Sequence, residues 1–214
     1  MIGGLLVITM LAAGAPGEVA NQQKLKACVT KIDSKPEEAF EDASIWAHET
    51  HSRHAYNCKA QALIALKRVP EGAALLEGLA GGADGGEPGE RAMLFSQAGN
   101  ARLLDLDPNQ AIKDFSDGLK YAPGEPDLLL DRARAYAIVS EWRKAEEDLS
   151  AALDKRPNDA LILRLRAETR LQQAAFDLAE KDAEAALKLD PKNIDALLER
   201  GRVREAKRTG QKPD

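Results

Sequence analysis

Aromatic residues are scarce in this 214-residue chain, at two Trp, three Tyr and four Phe, so no large aromatic core is available to hold it together. Ala, Leu, Glu, Asp, Lys and Arg dominate instead, and these side chains lose little rotamer freedom in a helix. An all-α fold is expected. No basic excess exists: the formal net charge is -5, and the basic residues alternate with acidic ones. A general nucleic-acid binder needs a clustered positive field to displace counterions, so that class is excluded. Only the end of the chain, with Arg202, Arg204, Lys207, Arg208 and Lys212, is locally basic, and it reads as solvated.

Residues 1–20 contain no Lys or Arg, and their apolar stretch from Leu5 to Gly14 has the length of a secretory signal core, followed by small residues. Export to the periplasm or beyond is expected, with an uncleaved N-terminal membrane anchor as the alternative. The charged leader of such signals is missing apart from the terminal amine. Cys28 and Cys58 are the only cysteines, and an even count behind an export signal predicts one disulfide. In the chain-entropy view such a bridge would contribute on the order of 3.5 kcal/mol.

Internal repetition is the strongest signal. At a period of 34 residues three blocks fall into register, starting at Ala92, Pro126 and Ala160, with a half-block from Ile194. Position 4 is Phe95, Leu129, Leu163 and Leu197; position 8 is Gly99, Ala133, Ala167 and Gly201. Position 20 is Ala111, Ala145 and Ala179, position 28 is Leu119, Leu153 and Leu187, and position 32 is Pro123, Pro157 and Pro191. Small residues at 8 and 20 let two antiparallel helices approach closely, and the proline stops the second helix.

These residues resemble the tetratricopeptide repeat over about 92–206, in the manner of an exported bacterial-type member. The resemblance implies a right-handed solenoid of antiparallel helix hairpins, about five of them plus a C-terminal helix. The chain departs from the family at position 7, where Arg132, Arg166 and Arg200 stand, and all complete blocks carry Asp at position 23: Asp114, Asp148 and Asp182. Pairing each Asp with the Arg of the following block uses all six, so a ladder between repeats is expected: Asp114 with Arg132, Asp148 with Arg166, Asp182 with Arg200.

Ahead of the regular blocks the pattern weakens but persists. Helices are expected at Gln22 to Ile32, Pro36 to His48, Asn57 to Lys67 and Pro70 to Ala80. Cys28 and Cys58 then sit on the first helices of successive hairpins, which are neighbours in a solenoid. The organisation expected is a signal or anchor at 1–20, irregular hairpins at 21–80, a flexible Gly-rich linker at 81–89, regular repeats with a C-terminal helix at 90–207, and a disordered tail at 208–214. The Gly-rich stretch has no preceding strand and no suitably placed Lys, which excludes a phosphate loop.

All three histidines, His48, His51 and His54, fall within one short segment and raise a metal-binding or metal-delivery alternative. On one continuous helix His48 and His54 would point about 120° apart, so joint ligation needs a break near His51. Neighbouring carboxylates such as Glu146 and Glu147 face different directions on a helix and make no acid–base pair. No spacing specifies a nucleophile, so no enzyme and no cofactor are expected.

The family resemblance implies a concave surface lined by first helices that grips a peptide or helix of another protein. Its partner-binding residues here would be Met93, Ser96 and Asn100; Asp127, Leu130 and Arg134; and Leu161, Arg164 and Glu168. The family's carboxylate clamp needs Lys, Asn and Arg; only Asn100 fits, beside Ser96, Asp131, Leu161 and Leu165. A periplasmic adaptor or assembly factor for a protein of the cell envelope is the function expected, touching the membrane only through a retained N-terminal segment.

Overall fold

The computed structural model describes residues 16–83 and 85–212 and is helical throughout. Eleven helices follow one another among the described residues: α1 Pro16–Ile32, α2 Pro36–Thr50, α3 Arg53–Ala65, α4 Val69–Gly81, α5 Pro88–Leu104, α6 Pro108–Tyr121, α7 Pro126–Ile138, α8 Trp142–Lys155, α9 Ala160–Gln172, α10 Phe176–Leu189 and α11 Ile194–Thr209. Each packs on the next, so five hairpins and a last single helix stack as a helical-hairpin solenoid. The predicted signal segment lies largely outside the described residues, and α1 begins at Pro16, six residues ahead of the expected start. No described helix is long and apolar enough to cross a membrane.

Local chemistry sets the boundaries. Proline occupies the first turn of α2, α4, α5, α6 and α7, where its missing N–H costs nothing. Asp107, Asp159 and Asn193 cap α6, α9 and α11 by accepting first-turn backbone N–H groups. Within each regular block the turn between helices passes through a left-handed residue, Leu106, Ser140 or Ala174, each at φ 59.

Close approach of the paired helices rests on position 8. A Cβ added to Gly99 would lie 2.6 Å from the ring of Phe115, which is itself completely buried. In the next block Ala133 and Leu149 share the same core cluster.

The Arg–Asp ladder differs from expectation. Arg132 donates from Nε and Nη2 to both carboxylate oxygens of Asp148 at 2.8 and 2.7 Å, and Arg166 does the same to Asp182 at 2.8 and 2.9 Å. Pairing is therefore within each repeat, because positions 7 and 23 face each other across one hairpin. The remaining nitrogen reaches the preceding hairpin, to Ser116 Oγ at 3.1 Å from Arg132 and to Ser150 Oγ at 3.2 Å from Arg166. Asp114 is left opposite Ala98, and Arg200 makes no hydrogen bond or ion pair among the described residues.

In the Gly-rich connection, expected as a linker, one arginine gathers several backbone carbonyls of the described residues. Arg91 donates to the carbonyls of Ala80 at 2.6 Å, Gly86 at 3.0 Å and Ala83 at 3.2 Å, with its guanidinium over the Tyr121 ring. Gly86 turns the chain at φ 83. Cys28 on α1 and Cys58 on α3 stand with Cα atoms 6.1 Å apart and their sulfurs in contact, within the span a disulfide bridges.

Two contrasts test this packing. Gly99→Ala gains helix propensity yet is expected to destabilise by about 1–3 kcal/mol through overpacking, whereas Gly201→Ala, with nothing within 4 Å of an added Cβ, should stabilise by about 0.5–1 kcal/mol. Arg132→Ala, which strands the buried Asp148, should cost about 3 kcal/mol, and Arg200→Ala should stay within about 0.5 kcal/mol; urea unfolding of the variants measures all four.

Candidate protein-binding surface

The first helices of the regular repeats, α5, α7 and α9, carry the residues expected to meet a partner. Met93 and Leu161 are exposed, and Ser96 is half-buried. Asn100 donates from Nδ2 to the Ser96 carbonyl and to Asp131 Oδ2, both at 3.0 Å, and Asp131 Oδ1 accepts from Arg134 at 3.2 Å. Asp127 is gripped by both Nη atoms of Arg156 at 2.7 and 2.8 Å, which holds its carboxyl below the ordinary range. Arg164 approaches Glu168 at 3.7 Å, and Glu168 also lies 3.9 Å from Arg202. Leu130 is only 7% exposed and belongs to the main core, so it supports this face without presenting itself.

Two of these residues, Arg134 and Glu168, line one hollow of about 350 Å³ between α7, α8 and α9. Its apolar lining is supplied by Ala137, Ile138, Trp142 and Leu165. Sequence reasoning missed Ile138 and Trp142 as surface groups, while Leu165 entered it only as a position unsuited to a carboxylate clamp. The available signal was Trp142, one of two tryptophans in the chain, standing at the start of a second helix where no core position falls. Met93 lies instead beside Arg53, His54 and Glu90, lining a smaller hollow of about 40 Å³ near α1 and α3.

The histidines do not converge. His48 and His51 are exposed, His51 closing α2 in the left-handed conformation, while His54 is buried with Nε2 3.2 Å from Glu18 Oε1. Among the described residues Glu18, His54 and Glu90 form the one group with ligand atoms close enough for a metal, within 4.8 Å of one another. Arg53 already occupies it, donating from Nη2 to Glu18 at 3.1 Å and to Glu90 at 2.8 Å. The group is thus an ion cluster in which two carboxylates share one guanidinium and tie α1, α3 and α5 together, and the three histidines do not meet as a metal site would require.

Asp114 is the most perturbed acid. It is 1% exposed; its Oδ1 accepts from Gln110 at 3.3 Å, but Oδ2 has no hydrogen-bond partner and lies 4.0 Å from Arg102 Nε. Arg102 spends its fork on Glu77, at 2.6 Å from Nη2. The equivalent Arg170 reaches both Glu146 and Asp182 at 2.7 Å. Burial, reinforced by the negative charge of Glu77 and only partly offset by Arg102, pushes the Asp114 carboxyl up to about 7. Closed from solvent, it cannot serve a substrate and acts on stability alone.

No family model matches the chain. It is 28% identical over 107 residues to the Protein STIP1 homolog of Dictyostelium discoideum, covering 50% of this chain and 19% of that protein. The chain thus spans about a fifth of the length of that curated relative. Among solved structures it is similar to the first TPR of Spaghetti bound to the HSP90 peptide SRMEEVD, at 25% identity and TM-score 0.54, covering 56% of this chain and 95% of that one. A wider likeness in fold alone is to MamA from Desulfovibrio magneticus RS-1, at 15% identity and TM-score 0.67, covering 84% of this chain and 98% of that one.

The Asp114 carboxyl titrates higher folded than unfolded, so the stability it allows is complete at low pH. That stability is lost as pH rises from the ordinary value of 3.8 through about 7. Asp114→Asn removes the titration. It is expected to raise the melting temperature above that of the parent at pH ~8 and to give no gain at pH ~4, read by thermal unfolding across that range.

Proposed function

We propose that this tetratricopeptide-repeat solenoid is a non-catalytic protein-interaction module, an exported adaptor or assembly factor that holds a segment of an envelope protein on its α5, α7 and α9 face. The observation that carries the reading is the hollow beside α7 and α9, where Trp142, Ile138 and Leu165 offer apolar area between Arg134 and Glu168. Apolar anchoring with a few charged groups to set register is how such grooves take peptides and helices. The Spaghetti repeat complex, with its HSP90 peptide, supports protein binding as the activity.

The ligand class differs from a chaperone tail. Asn100 is the single residue suited to a carboxylate clamp, and its amide is already donated to Asp131, whose own charge repels a chain-terminal carboxylate. An internal segment with apolar side chains and both charge signs fits the surface better.

Export rests on the apolar segment within residues 1–20 and on the two cysteines. A disulfide between Cys28 and Cys58 would tie α1, which buries no side chain completely, to α3. Cleavage ahead of Glu18 would preserve its contacts with Arg53 and His54.

Photo-cross-linking in cells tests the proposal, with the reactive residue at Arg134 or Arg164 and at the exposed Arg143 of α8 as control. Capture of one envelope protein from Arg134 and Arg164 but not from Arg143 is expected. Equal capture from all three positions would reject this face as the working one.

A further inference from the structure

The seam between α1 and the body behind it is loosely packed. A hollow of about 370 Å³ separates α1 from α2, lined in part by Cys28 and Cys58, and Ala27 and Ile45 stay exposed along it. Apart from the cysteines the ties are mostly polar. Lys31 Nζ lies 2.7 Å from Asp42 and 3.2 Å from Glu38, and Glu18 Oε1 lies 3.1 Å from Arg53 and 3.2 Å from His54. Pairs this open to water contribute little. Arg53 also holds Glu90 at 2.8 Å, so α3 and α5 stay joined without Glu18.

α1 also covers ground that adjoins the partner face. Its Leu25 shares a hollow of about 40 Å³ with His54 and Asn57 of α3 and with Met93 and Leu94 of α5. His54 and Asn57 are buried there, at 6% and 4% exposure, whereas Met93 beside them is 48% exposed. The two sulfurs differ in access. Cys58 is 1% exposed, while Cys28 is half-buried on the larger hollow, between Lys24 and Lys31, one turn to either side on the same helix face. Lys31 is paired with carboxylates, but Lys24 rests over the Trp46 ring at 5.7 Å and makes no ion pair among the described residues, so it attracts an incoming thiolate.

We propose that α1 is a strap latched by a Cys28–Cys58 disulfide, and that a dithiol opens it by thiol–disulfide exchange, lengthening the α5, α7 and α9 face onto α3. The proposal rests on the reading of that face as the partner surface and of the two cysteines as a bridge. A thiolate of the dithiol attacks Cys28 Sγ; the bond to Cys58 breaks, and Cys58 leaves with the electron pair and takes a proton. The second thiolate of the dithiol then displaces Cys28, which is protonated in turn. Two electrons have passed to the cysteines, and the dithiol has become a disulfide. With the bridge gone, exposed ion pairs and a half-filled seam are left to hold α1, and local opening uncovers His54 and Asn57 next to Met93.

Hydrogen–deuterium exchange of the full chain, oxidised and then reduced with dithiothreitol in native buffer, tests the latch. On reduction the amides of residues 16–32 are expected to exchange at least ~10-fold faster, those at the start of 53–65 to follow, and those of 126–172 to stay unchanged. The Cys28→Ser, Cys58→Ser double variant, shown to be folded by circular dichroism, should reproduce this pattern without reductant. Two free thiols in protein purified from an oxidising compartment, unchanged exchange in 16–32, acceleration spread through α2 and α4, or reduction no faster than unfolding would each overturn the proposal. Photo-capture of a partner from Met93 should rise at least ~3-fold in the double variant relative to capture from Arg164, and an unchanged ratio would overturn the lengthening of the face. No capture from Met93, Arg134 or Arg164 in either form would reject the face itself, while the exchange data judge the latch separately.

Discussion

Everything in this solenoid depends on two helices of a hairpin approaching closely enough to exclude water between them. The approach is granted at position 8, where Gly99 leaves room for the Phe115 ring and Ala133 shares a core with Leu149. Dispersion falls off steeply with separation, so a methyl group here governs whether a whole helix face finds its partners. Once the helices are close, the backbone-positioned arginine at position 7 lies within reach of the aspartate at position 23. The fork then closes the hairpin with directional bonds that a purely apolar seam lacks.

Because Arg132 and Arg166 also touch Ser116 and Ser150 of the preceding hairpins, each fork fixes both the hairpin and its stacking on its neighbour. This matters for the binding face. Asn100, Asp131 and Arg134 form a chain of contacts from α5 to α7, so the surface offered to a partner is positioned by the same stacking. A chain that builds a binding surface from separate helices needs such ties, since a flexible array would lose entropy each time it bound.

The spacing of small residues and prolines made the three regular hairpins legible, because close approach and helix termination are local demands that a sequence must meet at fixed positions. The ladder was read with the right residues and the wrong direction. A repeat reveals which positions recur, while the facing of position 7 toward position 23 depends on how the hairpin closes in space. Of the expected partner-contact residues, Leu130 proved to be core, since neighbouring helical positions differ by a rotation that a one-dimensional pattern resolves poorly. Trp142 and Ile138 escaped notice because the hollow they line joins three helices. Likewise, Arg91 ordering the Gly-rich connection could not be seen in composition, since its three acceptors are backbone carbonyls.

Pairing within repeats leaves one member over at each end of the series, an acid at Asp114 and a base at Arg200. The two surpluses are not equivalent. Asp114 is sealed in, opposite Ala98, and its ionised form is penalised by burial that Arg102 and the Gln110 hydrogen bond only partly relieve. Arg200 is half-buried and still reached by water, so it tolerates its lack of a partner at little cost. An unpaired buried charge is a defect that folding must absorb, whereas an unpaired charge that water reaches is nearly neutral to folding.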